Sequence, residues 1–172
     1  MRFGIILAAV VAAAAAAPAL AQPPSMVKSV FADLVNNSKG VAGHFNAMEA
    51  PTGVLITVDV VGMTPGWHGM HLHEKADCSA ADFTSAGGHI NHATAKKAHG
   101  LLNPAGPDFG DLPNIYVNAD GTGHAEAFTS LVKFADLKDA DGSAFVVHAN
   151  KDDHLAQPIG GAGARVACGV IK

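Results

Sequence analysis

Gly66-Trp67-His68-Gly69-Met70-His71-Leu72-His73-Glu74 is the stretch on which the fold class turns. In an extended strand successive side chains point to opposite faces. His71 and His73 therefore share one face, and Met70 and Leu72 share the other. Two imidazoles on one rigid face make half of a metal site, and imidazole suits copper, zinc, iron and nickel. An H-x-H pair standing alone carries little, so the rest of the chain decides what it means.

Outward from this stretch the chain reads as further strands. Short runs with strand character fall at about 27–35, 41–48, 53–62, 67–74, 114–119, 122–129, 144–149 and 164–170. Turn residues separate them, as in Asn36-Asn37-Ser38-Lys39-Gly40, Thr64-Pro65-Gly66 and Asp120-Gly121. Helical periodicity is scarce. This spacing predicts an all-β antiparallel sandwich or barrel. Two stretches, 75–113 and 150–163, fit neither strand nor helix. A structureless loop of about 40 residues is rare in a compact domain unless it is functional or tied down. The first holds Cys78, His89, His92, His99, Asp108 and Asp111, and the second holds Asp152, Asp153 and a Gly-rich end. Metal ligands and a disulfide can supply the order that a hydrophobic core does not.

The start of the chain is set apart. Arg2 gives a short positive beginning, residues 3–17 are almost all Ala, Val, Ile and Leu, and Pro18-Ala19-Leu20-Ala21 is a small-residue cleavage signal. This predicts a signal peptide over 1–21, cut after Ala21, and a single domain over 22–172. Its apolar run of about 15 residues is short for a membrane span, and no later stretch is long enough for one. A formal net charge of −4 and the lack of a basic run argue against nucleic acid as a partner. The two cysteines, Cys78 and Cys168, read as one disulfide in an oxidising compartment. Two buried free thiols are the alternative.

The loop histidines and carboxylates stand beside glycines, which permit sharp turns and let a loop wrap round one ion. The segments are Ser85-Ala86-Gly87-Gly88-His89-Ile90-Asn91, Lys97-Ala98-His99-Gly100 and Gly106-Pro107-Asp108-Phe109-Gly110-Asp111. Phe145-Val146-Val147-His148 ends an apolar strand on a histidine, a placement that taken alone is more often structural.

Together these segments resemble the copper-zinc superoxide dismutases of the bacterial exported type. The matching stretches are G-W-H-G-M-H-L-H-E at 66–74, D-C-S at 77–79, S-A-G-G-H-I-N at 85–91 and H-G at 99–100. They continue with G-D-L-P-N at 110–114, V-V-H at 146–148, D-D at 152–153 and G-A-R-V-A-C-G-V-I at 163–171, in the family's order. Q-P-I-G-G-A-G at 157–163 is similar to the bacterial branch. The resemblance implies a Greek-key β-sandwich or flattened barrel of about eight antiparallel strands with two long functional loops. It implies dismutation of superoxide to oxygen and hydrogen peroxide, with copper cycling between Cu(II) and Cu(I). Copper would fall to His71, His73, His89 and His148. Zinc would fall to His89, His99, Asp111 and one further ligand, with His89 bridging the two ions and handing on a proton. Asp152 would link His71 to His99 from behind, Arg165 would receive the substrate anion, and Cys78 and Cys168 would form the family disulfide. A periplasmic location follows from the same resemblance, while monomer and homodimer both stay open.

Two positions depart from the family pattern. Met70 stands for its usual phenylalanine and is expected to face the core, where such a swap is tolerated. The family's H-x-G-D is Asp108-Phe109-Gly110-Asp111 here. A carboxylate oxygen can bind zinc, so Asp108 can replace the imidazole; recruitment of His92 and a weak or absent zinc are the other options. His44, His124 and His154 match no metal position and read as surface or loop residues. An exported, non-enzymatic copper-binding or copper-delivery protein on the same fold is one rival, and a copper-only dismutase is another. A pure binder needs neither a bridging His89, nor Arg165, nor Asp152, which favours the enzyme.

Overall fold

The structure is a computed structural model, and it describes residues 26–91 and 96–172. The leader expected over 1–21 and His92 lie outside the described residues. Nine strands make one antiparallel sheet: β1 (Ser29–Asn36), β2 (Val41–Ala50), β3 (Gly53–Val60), β4 (Gly66–His68), β5 (Met70–His73), β6 (Ile115–Val117), β7 (Gly123–Thr129), β8 (Ala144–His148) and β9 (Arg165–Val170). Their order across the sheet is β4-β6-β7-β3-β2-β1-β9-β8-β5. β6 and β7 are inserted between β3 and β4, which follow one another in the chain. The connection is thus the Greek-key kind expected.

The strands at the two ends of the sheet, β4 and β5, are separated in the chain only by Gly69. The sheet therefore curls back on itself into a nearly closed barrel, with Gly69 at the seam. The Gly69 N–H donates to Asn150 O and the His148 N–H donates to Gly69 O, each at 2.8 Å. A Cβ at this position would lie 3.0 Å from Ala162 Cβ and 3.1 Å from Asp152 Cβ, tighter than side chains normally tolerate. Close backbone approach is what requires glycine here. The seam also accounts for the strand count: the stretch read as one strand over 67–74 changes sheet edge at Gly69 and becomes two, so the eight expected runs form nine strands.

Alternation along β1, β2 and β3 sends Val30, Ala32, Leu34, Phe45, Ile56 and Val58 inward, all essentially buried. Phe45 stacks on Phe145 of β8 with ring centroids 4.7 Å apart. Burying each large side chain contributes roughly 1.5–3 kcal/mol. Met70 and Leu72 join this core, as their parity on β5 predicts. His71 and His73 are buried on the other face of β5, covered by the two long connections. Strand β5 is thus buried on both sides, apolar inward and imidazole outward.

Those connections are residues 74–114, between β5 and β6, and residues 149–164, between β8 and β9. Apart from one short 3-10 turn (Thr84–Ala86), neither carries a regular element among the described residues. They are tied down in three ways. A disulfide joins Cys78 to Cys168 on β9, with Cα atoms 5.9 Å apart. Asn37 Nδ2 donates to Ala81 O at 2.8 Å, and Lys39 Nζ donates to Cys78 O at 2.8 Å. The third tie is the cluster of histidines and aspartates itself. No helix among the described residues is long and apolar enough to cross a membrane.

Candidate metal centre

Four imidazoles converge at the outer face of β5. His71 and His73 come from β5, His148 from the end of β8, and His89 from the first loop, where an isolated bridge pairs it with His73. Their ligand-capable nitrogens lie within 4.8 Å of one another, and all four residues are buried. In every ring one nitrogen is held and the other is bare. His71 Nε2 donates to Asp152 Oδ2 at 2.8 Å, and His73 Nδ1 to Gly87 O at 3.1 Å. His148 Nδ1 donates to Gly163 O at 2.9 Å, and His89 Nδ1 to Asp108 Oδ2 at 2.8 Å. The opposite atoms, His71 Nδ1 and Nε2 of His73, His89 and His148, are buried with no hydrogen-bond partner. Buried polar atoms are rarely left so. Four convergent bare nitrogens with fixed tautomers are the signature of a cation site, and an all-imidazole set suits copper.

A second group shares His71 and His89 with the first. Ligand atoms of His71, His89, His99 and Asp111 also lie within 4.8 Å of one another. Here His99 Nδ1 and Asp111 Oδ1 form an ion pair, 2.5 Å apart, and have no other hydrogen-bond partner. The other Asp111 oxygen accepts the backbone N–H of Gly100 at 2.7 Å and of Asp108 at 2.9 Å. Mixed nitrogen and oxygen donors suit zinc. Asp108 is buried beside this group but belongs to neither set.

Asp152 stands between the groups. Its Oδ2 accepts from His71 and its Oδ1 accepts from His99 Nε2 at 3.2 Å. One buried carboxylate thus holds His71 and His99 at once. Asn114 holds Asp152 in turn. The Asp152 N–H donates to Asn114 Oδ1 and Asn114 Nδ2 donates to Asp152 O, each at 2.9 Å.

Burial and neighbouring charge act oppositely on the two sides. Burial is the largest influence on His71 and outweighs its Asp152 bond, pulling its pKa down to about 3. Burial likewise lowers His148 to about 4 and His73 well below the ordinary imidazole value. These rings stay neutral, the form that binds a metal. For His99 burial also works downward, but its bonds to Asp111 and Asp152 prevail and raise it to about 10. Asp152 is held below the usual carboxylate range by His71 and His99, against the upward push of burial.

Arg165 is the cation nearest this centre that the sequence singles out. Its Nη1 donates to Phe83 O and its Nη2 to Gly87 O, each at 2.6 Å. Gly87 O also receives His73 Nδ1–H, so one carbonyl joins the guanidinium to a ring of the first group. Burial draws the Arg165 pKa down from the usual guanidinium value. The side chain lines an open surface cavity of about 590 Å³ with Asn37, Ala81, Asp82 and Thr84.

The structure brings together His71, His73, His89, His148, His99, Asp111 and Asp152, places Asp108 against His89, and forms the disulfide. His44 and His124 are exposed and pair with Asp33 at 3.0 Å and Asp59 at 2.7 Å. His154 lies in the second loop, where its Nε2 meets Asn114 Nδ2 at 3.0 Å. Sequence reasoning passed over two supporting residues. His68 is buried and clamped between His148 O at 2.7 Å and Thr64 O at 2.8 Å. Asn114 stood inside a quoted motif without a role. For His68 the available signal was its place three residues before His71 in the same histidine-rich stretch.

Barrel and paired clusters together define a histidine-ligated metalloprotein with two adjoining cation sites. The family described as "Copper/zinc superoxide dismutase (SODC)" matches residues 33–171. The chain is 57% identical over 137 residues to "Superoxide dismutase [Cu-Zn]" of Caulobacter vibrioides, covering 76% of this chain and 78% of that protein. Among solved structures it is similar to a superoxide dismutase-like protein from Bacillus subtilis, with TM-score 0.73 and 39% identity over 81% of this chain and 95% of that one. It is also similar to the Cu/Zn superoxide dismutase of Brucella abortus, with TM-score 0.69 and 30% identity over 84% of this chain and all (100%) of that one. The chain belongs to the copper/zinc superoxide dismutase family.

Proposed function

We propose that the protein dismutes superoxide to oxygen and hydrogen peroxide outside the cytoplasm. The observation that carries this reading is the set of four bare, convergent, tautomer-fixed nitrogens, two of whose residues, His71 and His89, also belong to a second group. Copper belongs with His71, His73, His89 and His148. Zinc belongs with His89, His99 and Asp111, and Asp108 is the fourth candidate at that ion. Bound copper supplies one-electron chemistry between Cu(II) and Cu(I).

The chain's own residues do the rest. Carbonyls of Gly87 and Gly163 and the Asp152 carboxylate hold the rings so that no reorientation is needed when charge changes. His89 has one nitrogen toward each group, so its Nε2 can hold a proton and release it to the reduced substrate, an acid–base role. Arg165 lends positive charge to the wall of the cavity it lines. A local cation on an acidic protein concentrates a small anion there and raises the encounter rate by roughly 10–10³.

Support for export comes from the leader read over 1–21 and from the disulfide, which suits an oxidising compartment. A homodimer belongs to the same reading. What supports it is the half-exposed pair of Trp67 and Tyr116, rings 5.1 Å apart across β4 and β6, and sedimentation of the metal-loaded protein reads it. The functional test is superoxide consumption by protein stripped with a chelator and reloaded. Activity should return with copper, and His148→Ala should bind copper more weakly and recover little. Full activity in the stripped protein would overturn the reading.

A further inference from the structure

Asp108 stands where the resemblance described above implies an imidazole, and its surroundings give it a role besides zinc ligation. Both of its oxygens are engaged within the protein. Oδ1 accepts the Gly110 N–H at 2.9 Å and Oδ2 accepts His89 Nδ1–H at 2.8 Å. Its own N–H donates to Asp111 Oδ2 at 2.9 Å, so its backbone is fixed too. The atoms on this side with no hydrogen-bond partner beyond their own ion pair are His99 Nδ1 and Asp111 Oδ1; no oxygen of Asp108 is among them. Asp108 also lies outside the group whose ligand atoms gather within 4.8 Å. Its carboxylate meets one member of the group, the His89 ring.

That relation repeats a pattern. His71 is held by Asp152, His73 by Gly87 O and His148 by Gly163 O, each through the nitrogen that points away from the four-nitrogen set. In a bridged two-metal site, zinc would do this for His89. Here a protein carboxylate already does. We propose that Asp108 is a positioning residue that stands in for zinc on His89. It keeps the proton on Nδ1 and leaves Nε2 as the copper-facing lone pair when the second ion is missing.

The inference rests on the placing of copper among these four histidines given above. A carboxylate suits the task better than an imidazole. It only accepts hydrogen bonds when ionised, so it cannot present a competing donor to His89. When zinc arrives it takes Nδ1, the Nδ1 proton leaves to solvent, and Oδ2 of Asp108 is freed to face the ion. Outer carboxylates of this kind typically contribute 10–100-fold to metal affinity. The copper site of this protein is therefore largely independent of zinc.

The test is Cu(II) affinity, measured by chelator competition on protein with and without zinc. Zinc should tighten copper binding by the wild type less than about threefold. In the zinc-free state Asp108→Ala should weaken it by about 10–100-fold. Zinc should then restore the variant to within about threefold of wild type, which also shows that the variant is folded. Equal zinc-free affinity in variant and wild type overturns the proposal. So does a wild type whose copper binding weakens more than tenfold without zinc. Should Asp108→Ala not fold, nitrogen NMR of zinc-free, Cu(I)-loaded wild type decides. A protonated, exchange-protected Nδ1 on His89 is expected, and a bare Nδ1 refutes it. Superoxide consumption by the doubly loaded wild type is read in parallel. Its absence would fault the functional reading, while the affinities judge Asp108 separately.

Discussion

Each ligand ring owes its usefulness to the atom behind it. His71, His73, His89 and His148 differ in sequence context, yet each has one nitrogen spent on a protein acceptor. The sequence shows which residues are histidines; it does not show that Gly87 O and Gly163 O fix their tautomers, because a backbone carbonyl has no letter. Arg165 is the residue whose role is most exposed to test. Arg165→Ala should keep bound copper while losing about tenfold or more of the low-salt rate, with the gap narrowing as salt rises. Equal rates across a salt series would remove it from substrate guidance.

The titrating rings also predict a stability profile for the metal-free protein. His71 and His148 have folded pKa values of about 3 and about 4, below the unfolded imidazole value near 6.5. Between those limits the unfolded chain binds more protons, so stability rises with pH up to about 6.5. His99 is the reverse, with a folded value of about 10. Its contribution is complete below about 6.5 and is lost as pH climbs toward 10. Thermal unfolding of chelator-stripped protein should therefore peak near pH 6–7 and decline on both sides. A midpoint that keeps rising from pH 7 to 9.5 would contradict the His99 assignment.

Among the elements, strands were legible and their joints were not. Period-two alternation marked β1, β2, β3 and β7 to within a few residues. The break at Gly69 was hidden, because the parity of Met70, His71, Leu72 and His73 is the same whether or not the strand continues from Trp67. The seam shows only in three dimensions, in the switch of pairing from β6 to β8 and the packing of Ala162 and Asp152 against Gly69. Loop 149–164 gives a sharper case. Gly160 has φ +59, and a Cβ there would fall on the Asp152 carboxylate. Gly160→Ala should cost at least about 1–2 kcal/mol for the left-handed backbone alone. That corresponds to a fall of roughly 2–8 °C in the midpoint, with weaker metal binding as Asp152 is displaced. An unchanged midpoint and unchanged zinc affinity would show that Asp152 does not depend on this turn.

For the whole molecule, order in two long connections comes from covalent and polar ties together with a few buried apolar anchors, Phe83, Ala86, Ile90 and Leu112. The Cys78–Cys168 disulfide spans a sequence separation of 90 and anchors the loop bearing Phe83 O, an acceptor of Arg165. Replacing both cysteines by serine should cost about 2–5 kcal/mol and should loosen Arg165 as well, lowering the rate at full copper occupancy. Loss of stability alone, with the rate per copper intact, would separate the bond from the site.

The most direct measurement is superoxide decay after pulse radiolysis, with the protein loaded with copper and zinc. The account predicts a decay near the diffusional ceiling, of which superoxide dismutases are a standing example, slowing steadily as salt is added. A decay no faster than that of free, weakly chelated copper, and indifferent to salt, would contradict it and leave a protein that binds copper without turning over superoxide.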